Sequence, residues 1–517
     1  MPSWLRHYQR DWLRPDITAG LTAGAVVIPQ AMAYATVAGL PVQVGLYTAF
    51  LPMVIYAGLG TSRPLSVSTT STLAILTAEA LERFAGQADA AALATALATL
   101  TALVGGTLLL GGLLRLGFVA NFISEPVLTG FKAGIAIVIV FKQIPALLGI
   151  HIAKGSFIHD LVALSSGLPQ ASSITVILAV LTIGVLLAMN RFLPSLPSSL
   201  IAVAAGIAAV AAFALPQHGV ATVGHIPTGL PTFTLPDPSA LLELWPAAVA
   251  IALMSFTETA AAGRAFARSD EPAPVANREL IATGLANAGG ALLGAMPGGG
   301  GTSQTTVNRQ AGARTQAAEL VTAVATLATM VLLAPLIGKM PQATLAAVVV
   351  VSAAGLIRPA EFRAIRQIRR TEFVWALTAL TGVVLLGTLR GILVAICVSL
   401  VALAYQESDP PLYEVRRKPG TNVFRQVCAE HAEDESFPGL LLLRTEGRIF
   451  FANAQQLGRK AQALLERSDR RVVVLDLSAV FDIEYTALIM LSAAEKQLRA
   501  REKVLCLAGL NPEVLSL

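Results

Sequence analysis

Residues 29–72 read PQAMAYATVAGLPVQVGLYTAFLPMVIYAGLGTSRPLSVSTTST. The stretch is apolar enough to lie in a bilayer, yet proline and glycine break it repeatedly before it runs into a serine/threonine patch. Lipid satisfies neither broken backbone nor a cluster of hydroxyls, so such a segment must be lodged against other helices or line a cavity. The pattern predicts a substrate path in addition to a membrane span.

The rest of the chain has the same character. Of 517 residues, 55% are hydrophobic and 13% are charged, whereas soluble domains carry about 25% charged residues. Apolar runs of bilayer-spanning length recur from residue 17 to residue 405. Hydropathy predicts about fourteen spans, near 17–38, 43–60, 66–82, 92–114, 126–148, 173–193, 198–215, 244–266, 278–296, 302–316, 318–338, 342–357, 372–389 and 391–407. With the N-terminus inside, most arginines between Arg6 and Arg370 fall on the cytoplasmic side, and Arg83, Lys132, Lys142, Lys154, Lys339 and Arg390 fall opposite or within nearby spans. The net charge of +5 is therefore read as topological, with no nucleic-acid partner. The lead-in MPSWLRHYQRDWLRPD (1–16) lacks a signal-peptide pattern and reads as a basic amphipathic segment at the cytoplasmic surface. Cys397, Cys428 and Cys506 show neither metal-ligand spacing nor an even count.

Seven spans per half force the halves into opposite orientations. The third position of each half is short and polar: SVSTTSTLAIL in the first and PGGGGTSQTTVN in the second. Interrupted short spans at corresponding positions point to a transporter binding site. If their N-termini meet at mid-membrane, each presents free N–H groups and about half a positive charge. Ser66, Ser68, Thr69 and Thr70 would open span three, and Gly300, Gly301, Thr302 and Ser303 would open span ten. Hydroxyls there can donate to an oxyanion, and glycine lets it approach the backbone. Two helix ends sum to about one unit of charge, which suits a monoanion and leaves a dianion short unless a cation travels with it.

Glu258, within ALMSFTETAAAG, is an ionisable group at membrane depth. Such a group costs about 2.5–3.5 kcal/mol on insertion scales and is a functional candidate by default. It is read as the site of a coupling cation, either a proton or a liganded Na+, with Thr257 and Thr259 as helpers; the competing reading is a salt bridge to Arg264. Gln304 is expected to bond the substrate, Glu258 or another helix. Asn287 reads as a helix–helix contact, and Arg309 as snorkelling to the cytoplasmic face. Lys132 and Lys142 are read as neutralising backbone ends or reaching an interface. His151, His159, His218 and His225 fall mostly in loops, no Ser–His or Cys–His pairing is legible, and no enzyme activity is expected.

Beyond residue 407 the composition changes. Residues 408–437, beginning in the charged, proline-bearing ESDPPLYEVRRKPG, are read as a linker. Residues 438–517 alternate strand-like GLLLLRTE, RIFFANA, RVVVLDLSAV and VLCLAGL with helical AQQLGRKAQALLERS and TALIMLSAAEKQLRARE, which predicts a small α/β domain.

The run PVQVGLYTAFLPMVIYAGLGTSR resembles the signature of the SulP sulfate-permease family, relatives of the SLC26 anion transporters. MPGGGGTSQTTVNRQAGARTQ is similar to that family's tenth-span region, and the tail resembles a STAS domain. The resemblance covers essentially the whole chain. It implies a polytopic α-helical membrane protein with two inverted repeats of seven spans, arranged as core and gate domains over residues 17–407, followed by a cytoplasmic STAS domain. It also implies a homodimer in the cell's inner (plasma) membrane with both termini cytoplasmic. The activity implied is secondary active transport of a small inorganic oxyanion, sulfate or bicarbonate, by proton- or sodium-coupled symport with alternating access. An uncoupled channel or exchanger and a C4-dicarboxylate symporter are the alternatives, and no cofactor beyond the coupling H+ or Na+ is implied. Glu258 matches the family's acidic coupling position. Gln304 stands where sulfate-type members often carry Arg, and is similar to the residue of cyanobacterial-type sodium-dependent bicarbonate carriers. Thr486 matches a position that can be phosphorylated in related STAS proteins, with an N-capping threonine as the plainer reading. LNPEVLSL is read as opening a further helix of a truncated STAS fold.

Overall fold

The computed structural model describes residues 3–6, 8–85, 90–121, 124–150, 157–193, 196–224, 226, 229–269 and 271–516. His151, Lys154, His225 and the side chain of His159 lie outside the described residues. The chain divides into two compact units, Met1–Ser399 and Leu400–Leu517.

The first unit is helical: a helix at Phe157–Gly167 and one at Pro359–Ile368 stand between the predicted spans, and the remaining main helices overlap those spans. In order, the helices used below are α1 (Leu13–Val37), α2 (Val42–Thr48), α3 (Leu51–Leu59), α4 (Ser71–Ala80), α5 (Ala90–Leu113), α6 (Glu125–Leu148), α7 (Ser173–Phe192), α8 (Ser198–Phe213), α9 (Leu241–Ala265) and α10 (Ala276–Ala291). Then come α11 (Thr302–Gln310), α12 (Ala317–Ala328), α13 (Gln342–Ala354), α14 (Pro359–Ile368), α15 (Arg370–Leu386) and α16 (Thr388–Ser408), the last running across the division between the units. Eight stretches are long and apolar enough to cross a bilayer among the described residues. The shorter helices owe their length to sequence breaks. Pro52 has no amide hydrogen to continue a helix, so the second predicted span splits into α2 and α3. The third and tenth differ from expectation at their starts, where the chain is extended: β1 (Val67–Ser68) precedes α4 and β2 (Gly299–Gly300) precedes α11.

Packing sorts these helices into two groups. In one, α5 lies along α9 and α10, α3 lies against α10, and α11 and α12 lie along α1. In the other, α6 packs on α13 and α15, and α7 joins α8 to α13. They meet where α1 touches α8 and α13 and where α4 touches α6. Small residues let the backbones close up within each group. A Cβ on Gly105 would stand 2.6 Å from the Ala288 amide nitrogen, and one on Gly134 2.8 Å from Val383 Cβ.

The second unit holds a five-stranded sheet, β3 (Leu412–Arg417), β4 (Phe424–Gln426), β5 (Leu440–Glu446), β6 (Val472–Ala479) and β7 (Val504–Ala508), in the order β4-β3-β5-β6-β7. The three C-terminal strands are parallel, and β3 and β4 add antiparallel. This corrects the predicted linker over 408–437. Val415 is buried in β3; the bidentate Arg425–Asp434 pair, and Arg417 with two nitrogens on one Glu435 oxygen, fasten the return of the chain. The predicted strand RIFFANA is a second correction, since Ile449 makes one isolated bridge to Ile483. There Asn453 Oδ1 takes the Phe450 amide at 2.9 Å and turns the chain into α17 (Ala454–Glu466). After α18 (Tyr485–Ala500), Asn511 accepts the Val514 amide at 2.7 Å and opens α19 (Pro512–Ser516), where a further helix was predicted.

Candidate functional site

At membrane depth non-helical backbone must find partners within the protein. Here the two broken segments supply them to each other. β1 and β2 pair antiparallel, with Val67 opposite Gly300 and Ser68 opposite Gly299. The Gly301 amide donates to Ser66 O at 3.0 Å, and the Ser66 amide to Thr305 Oγ1 at 3.1 Å. Antiparallel pairing between segments from opposite halves is what a two-fold axis between them produces.

Helix α9 holds β2 from behind. Thr259 Oγ1 accepts the Gly300 amide at 2.8 Å, and Ser255 Oγ donates to Gly298 O at 2.7 Å. Asn287, expected as a helix–helix contact, instead clasps Gly298: its Nδ2 donates to Gly298 O and its Oδ1 accepts the Gly298 amide at 2.8 Å. The glycines also serve a different end from the one expected. A Cβ on Gly299 would sit 2.8 Å from Ser255 Oγ, and one on Gly300 2.8 Å from Thr259 Cα. Gly300 is therefore required for contact with α9, whatever access to an anion it gives.

The hydroxyls divide by their partners. Thr70 caps α4, accepting the Leu73 amide at 3.3 Å, and its own proton goes to Glu258 Oε2 at 2.8 Å. Ser68 Oγ donates to Gln304 Oε1 at 2.9 Å, while Gln304 Nε2 donates to Thr69 O at 3.3 Å. Gln304 thus ties α11 to the first broken segment at both ends of its amide. Ser66 Oγ and Thr69 Oγ1 are buried without partners. Thr302 and Ser303 are exposed, and α11 begins at Gly301 with no side-chain cap, leaving its first amides available. All nine predicted anion-site residues therefore gather within one small region.

The coupling candidates separate. Glu258 is buried, hydrogen-bonded to Thr70 and within electrostatic reach of half-buried Lys132 on α6. Lys132 thereby gains a place the sequence did not assign it, in the helix group facing that of Glu258. Arg264 turns its Nε along its own helix to Ala260 O at 3.2 Å. Thr257 donates to Leu253 O at 2.8 Å, also along its own helix, so its proton is not offered to a neighbour of Glu258. No group of three or more His, Cys, Asp or Glu suited to a metal ion occurs among the described residues. Arg309, expected to snorkel, pairs with Glu271 at 2.5 Å. Thr486 is the exposed second residue of α18; Glu484 takes the capping position that was read for it.

Three buried acids escaped the sequence reading. Glu279 accepts the Tyr56 hydroxyl at 2.6 Å and the Thr61 amide at 2.7 Å, and also bonds Thr61 Oγ1. Asp16 accepts the Arg314 amide at 2.7 Å and the Thr315 hydroxyl at 2.6 Å. Glu319 accepts the Val67 amide, at 2.7 Å, in the first strand of the site. The rule that singled out Glu258 applies equally to Glu319, which stands in the apolar run AAELVTAV.

The profile of the sulfate permease family matches residues 13–379, and that of the STAS domain residues 431–517. The chain is 35% identical over 513 residues to a probable sulfate transporter of Mycobacterium tuberculosis, covering 98% of this chain and 91% of that one. It is 29% identical over 479 residues to human solute carrier family 26 member 6, covering 87% and 63%. Murine solute carrier 26 family member A9, an anion transporter solved in the inward-facing state, matches with a TM-score of 0.90 at 21% identity, over 99% of this chain and 88% of that one. The transmembrane domain of the cyanobacterial bicarbonate transporter BicA matches with a TM-score of 0.65 at 23% identity, over 76% and 98%.

Proposed function

The chain belongs to the SulP/SLC26 family of multi-pass membrane anion transporters with a STAS domain, and from that premise we propose that it is a cation-coupled symporter of a small inorganic oxyanion. The anion is sulfate, named for its closely matched bacterial relative, or bicarbonate, named for a structural neighbour. The observation that carries the coupled reading is the 2.8 Å bond from Thr70, in the anion segment, to Glu258. A proton or sodium ion arriving at Glu258 changes the acceptor seen by Thr70, so the two sites cannot be filled independently.

Charge supports the same reading. The ends of α4 and α11 provide about one unit of positive charge together. Lys132 adds a cation that Glu258 largely offsets while the carboxylate is ionised. Neutralising Glu258 would free that positive charge for the anion. The helix group bearing Glu258 and the strand pair would move against the group bearing Lys132, giving alternating access across fourteen spans. Assembly as a homodimer in the plasma membrane, with both termini cytoplasmic, completes the proposal.

Proteoliposome uptake of labelled sulfate and bicarbonate under imposed proton or sodium gradients tests it. Accumulation above equilibrium in one gradient is expected. Equilibration at a rate that ignores both gradients would replace symport by a channel or uniport.

A further inference from the structure

Glu319 on α12 is fully buried, at 0% exposure. Its Oε1 holds the Val67 amide at 2.7 Å, and its Oε2 is buried with no hydrogen-bond partner. Ser66 Oγ, on the residue just before β1, is also buried and unpartnered, and the Ser66 side chain acts on the Glu319 carboxyl. A carboxylate stripped of water and offered one amide loses far more solvation than that bond returns.

Among the described residues, the neighbouring elements supply no cation. From α3, Tyr56 faces Glu319 but gives its hydroxyl to Glu279. From α1, Asp16 is occupied by residues 314 and 315, Arg14 is exposed, and Tyr34 lies on the Glu258 side. On α11, Arg309 is paired with Glu271. β1 carries no titratable side chain.

We propose that Glu319 is a second proton-binding group of the transporter, and that its protonation raises the affinity of the anion site built on β1. The inference rests on the anion-transport reading above. Ionised, the group places a negative charge one hydrogen bond from the strand that would hold the oxyanion. Protonated at Oε2, it removes that charge and becomes a donor to Ser66 Oγ, which leaves the Ser66 proton for the anion. One proton binds and no covalent bond changes. A proton fits better than sodium because one carboxyl oxygen alone is vacant and no group of three or more His, Cys, Asp or Glu surrounds it among the described residues.

The test is sulfate and bicarbonate uptake by the full chain in proteoliposomes between pH 6 and 8.5, with the anion concentration held fixed at each pH. The wild-type protein is expected to lose apparent affinity by about fivefold or more as pH rises, the lower end of typical coupling. Glu319→Gln keeps an oxygen for the Val67 amide and should lose most of that slope; Ser66→Ala should weaken it. A wild-type slope in E319Q, or in S66A where E319Q does not fold, would overturn the inference while leaving anion transport standing. Absence of wild-type uptake of either anion would instead overturn the transport reading, and this inference with it. If E319Q abolishes a sodium dependence and spares the pH slope, the bound cation is not a proton and the inference fails.

Discussion

Asp16 and Glu279 stand in the first turns of α1 and α10, each accepting several donors, whereas Glu258 and Glu319 flank the strand pair, the one bonded to Thr70 and the other to the Val67 amide. All four are buried in the same unit. Amides and hydroxyls gathered on one buried carboxyl satisfy its oxygens and fix the backbone around it. The sparser bonding of Glu258 and Glu319 is what motivates proposing them, and not Asp16 or Glu279, as cation-binding groups.

The largest effect is expected on the saturated side. Glu279→Ala strands the Tyr56 hydroxyl and the Thr61 amide, at about 1–3 kcal/mol for each buried donor. A large drop in melting temperature and in monodisperse yield in detergent should follow, and near-native stability would break the comparison. Glu258→Gln should fold normally yet lose accumulation against a gradient in proteoliposomes; retained gradient dependence would remove its coupling role. Gly300→Ala drives a methyl against the Thr259 backbone, an overpacking worth about 1–3 kcal/mol, read as a lowered melting temperature with impaired uptake. Gln304→Ala loses two hydrogen bonds between α11 and the first segment, about 0.5–1.5 kcal/mol each, and should raise KM more than it lowers the maximal rate.

The smallest effect lies in the STAS unit. Burial works to raise the Asp476 carboxyl, but the Ser478 amide and hydroxyl together with Arg444 outweigh it and hold the group below its ordinary 3.8. The stabilisation from this depressed acid is full above the ordinary value and is lost as pH falls through the lower folded one. Limited proteolysis of the full chain should therefore find the STAS unit of the wild type more resistant than that of Asp476→Asn at neutral pH, with the difference shrinking as pH falls below the ordinary carboxylate value; a difference independent of pH would remove the linkage.

Much of this architecture was legible because apolar runs of bilayer length announce themselves locally. The short third and tenth spans stood out for the same reason, by failing that pattern where proline, glycine and hydroxyls cluster. What stayed hidden depends on distant partners. Two residues of β1 and two of β2 have no strand signal of their own, and pairing alone makes them strands. The roles of Asn287 and Gln304 likewise depend on which carbonyl lies opposite, which sequence spacing does not encode. In the STAS unit, the prolines and charges around residue 410 masked β3, whose strand character comes from lying beside β5.

Because the rails of this two-rung ladder come from opposite halves of the helical unit, the first half leaves the ribosome with a gap. The Val67 amide meets its carboxyl partner 252 residues later. Until that stretch is inserted, polar backbone waits in lipid with nothing to bond. Nascent chains arrested before residue 300 should therefore be held by chaperones or degraded, and maturation of the transporter should be a late, all-at-once event in its synthesis.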